Sequence, residues 1–346
     1  MDIMHVGLDL SRRRLDVCVL DGSGTQREEL RAFPDRDGLG RLAAKLNQSA
    51  VAVRAVIESM TGARFVHDQL ELAGWDVQVA DAQRVKGLAP LTCKTDRIDA
   101  WVLAELSRRD LVPAIWMPPP GVRAERERAR WRLHLVKHRT ALKNRVHATL
   151  LTHGVPCPVS DLFGTKGREL LDRLPLPEPW STNVASALAL IDHLDVQIDA
   201  CVQALRADGA DHPYVPLLIT APGIAWVLAY TIASEIGDIN RFATPSKLCG
   251  YSGLCPRVEQ SGERDRRGPL TKHGPPYLRW ALMEATVHAA RHPAYAAHHD
   301  RIKARLGRQR GPKVARIEVA RRLSEAIWHM LTREQPFAPH TAPAAA

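Results

Sequence analysis

Four carboxylates stand where metal-assisted chemistry on a phosphate could be built. Asp9 closes an alternating run in which Met4, Val6 and Leu8 oppose His5, Gly7 and Asp9, and Glu58 closes a second run through Val51, Val53, Ala55 and Ile57. Asp96 and Asp99 are three residues apart, which on a helix sets their Cβ atoms about 5–6 Å apart on one face. Carboxylate oxygens match Mg²⁺, and Mn²⁺ accepts the same ligands. Four of them can hold two such ions about 4 Å apart, an arrangement that stabilises the attacking and leaving oxygens of phosphoryl transfer. Each acid also has a plainer reading: Asp96 and Asp99 as a helix cap and acidic first turn, Asp9 as a strand end before a turn. Their joint occurrence in one predicted α/β domain favours a site.

The elements that must position them can be read from periodicity. Leu15, Val17 and Val19 alternate with Asp16 and Cys18 as a second strand, Asp21-Gly22-Ser23-Gly24 is a hairpin signal, and Thr25 to Phe33 can return as a third strand. Leu39 to Leu46 reads as a helix, residues 51–57 as a fourth strand, Ala63 to Ala73 as a helix ended by Gly74, Trp75 to Val79 as a fifth strand, and Thr95 to Arg109 as a closing helix. Three strands in a meander followed by helix and strand alternation is the order of a ribonuclease-H-like domain. In such a sheet the first strand is central and the fourth lies beside it, which brings Asp9 and Glu58 to one mouth.

Ile115 to Gly121, with three consecutive prolines, reads as a stiff linker. A helix without Gly or Pro follows from Val122 to His153, and Val184, Leu188, Ile191, Ile198, Val202 and Leu205 form a heptad-like seam in another. The two make a hairpin suited to a coiled-coil arm or to a helical core. Residues 217–233 lack charge but are broken by Pro222-Gly223, too short for a membrane span, and read as buried helix. That Pro-Gly turn is like a helix-hairpin-helix, whose amides hold a DNA phosphate, although Ala225 replaces the usual second glycine. Pro245 to Gly250 reads as a short helix, Pro256 to Pro269 as a polar loop, and Pro276 to Arg291 and Val314 to Arg333 as basic helices. The expected domains are therefore 1–114, 121–210 and 213–334, with 335–346 a flexible tail, in an α/β plus all-α fold.

Charge is segregated. Residues 1–110 carry 16 basic and 17 acidic side chains, 121–150 carry 9 and 2, 151–240 carry 4 and 11, and 241–346 carry 19 and 8. Two basic blocks flanking an acidic one point to a polyanion, since neutralised phosphates release counterions. Ser261 lies in the second block, in a stretch with Arg257, Arg264, Arg266, Arg267 and Lys272. A serine there is a phosphate donor unless a metal, base or cationic setting eases its deprotonation and makes it a nucleophile. Six scattered cysteines with no CxxC pair argue against a zinc ribbon or a secreted disulfide framework. The amino terminus has no basic region ahead of its apolar residues, so a cytoplasmic, nucleoid-associated protein without membrane attachment is expected.

Gly7-Leu8-Asp9-Leu10-Ser11, Val56-Ile57-Glu58-Ser59 and Lys94-Thr95-Asp96-Arg97-Ile98-Asp99-Ala100 resemble the amino-terminal motifs of the DEDD transposases of bacterial insertion sequences. That family includes pilin-gene invertases and bridge-RNA-guided recombinases. Pro222-Gly223-Ile224, Gly250 to Arg257, Gln260-Ser261-Gly262, Leu270 to Gly274 and Tyr277-Leu278-Arg279 resemble its transposase domain, so the likeness spans residues 1 to about 330. The resemblance implies a RuvC-like domain, a coiled-coil linker and a helical transposase domain. It further implies Mg²⁺ on Asp9, Glu58, Asp96 and Asp99, and Ser261 as the nucleophile of a phosphoserine intermediate. Arg257, Arg264, Arg266, Arg267, Lys272 and Arg279 would contact nucleic acid. The implied partners are DNA at the element ends and target, a structured non-coding RNA, and further copies of the chain in a homodimer that assembles to a tetramer. Gln260 stands where many relatives carry another serine. Three alternatives stay open on the residues: a RuvC-like junction endonuclease that uses water, an actin-like kinase or ATPase, disfavoured by Arg12-Arg13-Arg14 where a phosphate loop needs small residues, and a non-catalytic DNA-binding protein, disfavoured by the four carboxylates.

Overall fold

The computed structural model describes residues 3–25, 27–49, 51–88, 96–261 and 264–338, with the backbone alone for 259, 261 and 264–267, and it comprises two compact units, Met1–Met117 and Pro118–Ala346. In the first, three strands, β1 (Ile3–Leu10), β2 (Leu15–Leu20) and β3 (Arg27–Ala32), form an antiparallel meander. Helix α1 (Arg36–Leu46) then leads to β4 (Ala52–Glu58), and α2 (Ala63–Leu72) to β5 (Asp76–Ala80), both strands parallel to β1. Two further helices follow, α3 (Ala82–Leu88) and α4 (Asp96–Arg108). The sheet order is β3-β2-β1-β4-β5, so the first strand is central and the fourth is its neighbour. The third strand is shorter than the expected Thr25 to Phe33, and α3 has no counterpart in the sequence reading.

Alternation decides which face each side chain takes. Val6, Leu8 and Leu10 of β1, Val17 of β2 and Ile57 of β4 pack under α1 and α2, whose Leu39, Leu42, Val66 and Leu70 are buried against them. The opposite set, His5, Gly7 and Asp9, faces α4. Burial, with Arg54 and Arg108 nearby, holds the His5 pKa below its usual value, and its Nδ1 lies 2.9 Å from Ser107 Oγ on α4. Gly7 is where the helix comes closest: a Cβ there would stand 1.8 Å from the carbonyl oxygen of Ala100 and 2.5 Å from the nitrogen of Ala104. Glycine on the strand and fully buried alanines on the helix are therefore a matched set.

The second unit is largely helical. It contains α5 (Pro120–Thr152), α6 (Thr165–Arg173), α7 (Trp180–Ala210), α8 (Val215–Leu218), α9 (Trp226–Ile236), α10 (Pro245–Tyr251), the strands β6 (Pro256–Ser261) and β7 (Arg264–Leu270), α11 (Pro276–Ala289) and α12 (Pro293–Arg333). Helices α5 and α7 run antiparallel, with Arg139 paired to Asp195, Arg128 Nη1 at 2.8 Å from Asp208 and His153 edge-on to Trp180. The heptad-like seam is spent inside the chain, where Val184, Ile191, Ile198 and Leu205 are buried. Helix α9 lies in the core with Ile232, Ala233 and Ile236 inaccessible to solvent. Its Glu235 is fully buried and takes two hydrogen bonds from Arg130, at 2.8 and 3.0 Å, while Arg126 caps the α9 carbonyls of Ser234 and Glu235. Gly223, at φ +78°, is set against α11, where a Cβ would meet Ala285 O at 2.2 Å.

Two expectations are corrected here. Residues 256–269 are not a loop but belong to a β-hairpin, with Ser261 opposite Arg264 and Gln260 opposite Asp265. The last helix starts at Pro293, not Val314, and is kinked at Gly307, whose φ of +73° interrupts the helical path. Of the expected tail, residues 335–338 are described: Phe337 packs against His292 and Tyr295 and donates its amide to Thr220 Oγ1. Residues 339–346, and the motif residues Lys94, Thr95 and Gly262, lie outside the described residues.

Because the strand and helix backbones meet at Gly7, Gly7→Ala forces α4 outward and should destabilise the first unit by about 3 kcal/mol, the upper range for overpacking. Amide hydrogen exchange is the measurement: protection of β1 and α4 should fall on the order of a hundredfold. Unchanged protection would mean that the two backbones are not in contact.

Candidate metal and nucleic-acid site

The face of the sheet that carries Gly7 also carries the acids. Asp9 is the next-to-last residue of β1, two beyond Gly7, and Glu58 ends β4 on the same face as Val56. Helix α4 begins at Asp96, so Asp96 and Asp99 occupy its first turn, where the unpaired amides and the helix dipole favour negative charge. Oxygens of Asp9, Asp96 and one further residue, Asp16, lie within 4.8 Å of one another. Glu58 and Asp99 are outside that tight group yet near enough for their charge to act on Asp9. Burial first, then repulsion from Asp96, Asp99, Glu58 and Asp16, lifts the Asp9 pKa to about 6.

The spacing of the acids in the sequence does not single out Asp16, although a signal is present. It alternates with Leu15 and Val17 and therefore shares the face of Cys18, and a tight turn between β1 and β2 sets it directly across from Asp9. Ser11 closes that turn, its Oγ and amide both bonded to the Arg14 carbonyl at 2.8 Å. Asp16 is 3% exposed. A buried carboxylate needs partners, and Arg14 Nε supplies one at 2.6 Å while Arg31 Nε lies 3.4 Å away. The same Arg14 reaches Asp96 Oδ2 through Nη2 at 2.6 Å. One guanidinium thus spans two carboxylates of the cluster.

In the second unit, Ser261 ends β6 at the closed end of the β6-β7 hairpin, and the register sets Arg266 opposite Glu259 and Arg267 opposite Val258. Arg257 and Lys272 are exposed. Arg279 instead turns inward: its Nη1 donates to the carbonyls of Ser252 and Lys272, at 3.2 Å each, and ties down the base of the hairpin. Arg301, Lys303, Arg305, Arg308, Arg310 and Lys313 are exposed on either side of the α12 kink. No helix among the described residues is long and apolar enough to cross a membrane.

Comparison with known proteins finds matches in both units. Residues 6–154 match a DEDD-type insertion-sequence family described as "Transposase", and residues 215–301 match the "Transposase IS116/IS110/IS902 family". A "Probable family 20 transposase" of Pseudomonas aeruginosa is 24% identical over 98% of this chain and 100% of its own length. The "Transposase for insertion sequence element IS1328" of Yersinia enterocolitica is 25% identical over 97% of this chain and 99% of its own. The corresponding transposase of element IS1111A from Coxiella burnetii is 24% identical over 97% and 92%.

The raised pKa of Asp9 has a definite sign. Its folded-state pKa lies above that of the unfolded chain, so its contribution to stability is complete below about pH 4 and is lost as pH rises through about 6. Asp9→Asn should therefore raise the melting temperature in EDTA at pH 7.5 and leave it nearly unchanged at pH 4. A lower melting temperature for the variant at pH 7.5 would show that Asp9 is not crowded by the other acids.

Proposed function

The chain belongs to the DEDD transposase family of insertion sequences, and we propose that it cuts and rejoins DNA by transesterification, with Asp9, Glu58, Asp96 and Asp99 holding Mg²⁺ and Ser261 as nucleophile. One observation carries this reading: oxygens of Asp9 and Asp96, from elements far apart in sequence, converge with Asp16 within 4.8 Å. Only carboxylate oxygens contribute to that group, with no thiolate or imidazole, a donor set suited to Mg²⁺ or Mn²⁺. When bound, the metal would stabilise charge on the phosphate and ease deprotonation of a hydroxyl. Asp9 must be ionised to act as a ligand, so metal has to compete with a proton that burial and the neighbouring acids hold on its carboxyl.

In the reaction, a bond forms between Ser261 Oγ and phosphorus as the bond from phosphorus to a sugar oxygen breaks. The serine proton leaves to base and the released oxygen takes one up, so a phosphodiester is exchanged for a phosphoserine ester. Attack by another DNA hydroxyl reverses the exchange and rejoins the strand, with no external energy source. Arg264, Arg266 and Arg267 beside the serine, with Arg257 and Lys272, would steady the phosphates, and Arg279 would hold the hairpin in place. The strand order supports a ribonuclease-H-like first unit, and the exposed basic residues of α12 suit a structured non-coding RNA as well as DNA. In this reading the working form is a homodimer that assembles to a tetramer on DNA, associated with the nucleoid.

The test separates transesterification from hydrolysis at one atom. Ser261→Ala should bind DNA with wild-type affinity yet lose cleavage and joining by at least about a thousandfold, a loss of about 4 kcal/mol or more in barrier lowering. Denaturing electrophoresis of the wild type on a nicked substrate should trap a DNA-linked protein that the variant does not form. Undiminished cutting by the variant would assign the nucleophile to water and the chain to the junction endonucleases.

The basic surface makes its own demand. The logarithm of DNA affinity should fall linearly with the logarithm of salt concentration, and replacing Arg305, Arg308 and Arg310 with Gln should flatten the slope by about 1 for each phosphate left without its arginine. An unchanged slope would remove α12 from the interface.

A further inference from the structure

The acids of the first unit come with a cation of their own. Asp9 and Asp16 face each other directly across two antiparallel strands, and like charges so placed repel. Asp16 is also almost wholly buried, a costly position for a charge without a partner. Arg14 offsets both. Its Nε is bonded to Asp16 at 2.6 Å and its Nη2 to Asp96 at 2.6 Å, so the planar fork of one guanidinium is shared between a buried anchor and an exposed acid. The anchor is the stronger hold, because Asp16 has one bond from Arg14 inside the fold, with Arg31 alongside, whereas Asp96 has 56% of its side chain exposed. The turn that presents Arg14 is itself fixed by Ser11.

We propose that Arg14 is a tethered counter-cation that competes with the divalent metal for Asp96, holding the acid cluster together when metal is absent and setting the concentration at which metal enters. The proposal rests on the metal-binding reading of Asp9 and Asp96 given above. A guanidinium bonded to Asp96 Oδ2 occupies one of the two oxygens this carboxylate offers a metal ion, and two cations within a few ångströms of each other repel by several RT even where water screens them. Metal entry therefore works against the Nη2 bond to Asp96, while the bond from Nε to Asp16 keeps the arginine at the site.

Isothermal titration of the full chain with Mn²⁺ alone, without DNA, tests this independently of catalysis. Arg14→Gln should bind Mn²⁺ on the order of tenfold more tightly than the wild type, and Arg14→Lys, which keeps the charge, should stay close to the wild type. A residue that merely braced the turn would weaken binding on removal, so equal or weaker binding by Arg14→Gln overturns the proposal. A second measurement uses the unaltered protein: the ¹⁵Nε resonance of Arg14, in arginine-labelled wild type, should shift as Mg²⁺ is added and saturate with metal binding. A resonance that does not move at saturation overturns it as well. Asp9→Asn separates the two ideas. If that variant binds Mn²⁺ as the wild type does, the ligand assignment fails, while tighter binding by Arg14→Gln still supports competition at Asp96. If none of the proteins binds Mn²⁺, both fail.

Discussion

The close approach of α4 to β1 at Gly7 is the constraint on which the first unit depends. A strand and a helix are ordinarily held apart by their side chains. Here the absence of a Cβ at Gly7 and the small Ala100 and Ala104 let backbone meet backbone. Everything on that face follows. His5 reaches Ser107 on one side of the contact, and on the other Asp9 is carried to the first turn of α4, where Asp96 and Asp99 stand. The sheet alone would place Asp9 and Glu58 on neighbouring strands with nothing above them. The helix alone would expose two acids to water. Their convergence comes from one position where no side chain other than hydrogen fits.

Convergence of like charge has to be balanced, and the two units do so by similar means. In the first, Arg14 and Arg31 accompany the buried Asp16. In the second, Arg126 and Arg130 accompany the buried Glu235, and through it α5 is fixed to the end of α9. Removing one partner of such a buried pair leaves an uncompensated charge, at a cost of about 3–5 kcal/mol. The difference lies in exposure. Glu235 is sealed and serves packing, whereas the Arg14 network opens to solvent through Asp96, where a ligand can exchange.

Much of this was legible in the sequence because period-2 alternation and i, i+3 spacing are local. They located β1, β2, β4, β5 and α4, and with them Asp9, Glu58, Asp96 and Asp99. What escaped depended on pairing. Asp16 enters the site through the register of the β1-β2 hairpin, and Arg14 through a turn whose geometry Ser11 fixes; neither has a spacing that announces chemistry. The β6-β7 hairpin escaped for another reason. Pro256–Ser261 and Arg264–Leu270 contain Pro, Gly and charged residues with Val258 the only β-branched one, so no hydrophobic alternation marks them and main-chain pairing alone defines the strands. The first half of α12 was hidden by Gly307, Gly311 and Pro312, which read as punctuation yet produce a kink rather than an end.

The central claim is that the acids brought together by the Gly7 contact hold divalent metal. Anomalous diffraction from crystals of the full chain soaked in Mn²⁺ tests it most directly. The account predicts anomalous peaks about 2.0–2.2 Å from carboxylate oxygens of Asp9 and Asp96, the distance of a hard divalent ion from its oxygen ligands, with Arg14 withdrawn from Asp96. Saturating Mn²⁺ that leaves this cluster without a peak, its arginine still bonded to Asp96, would contradict it.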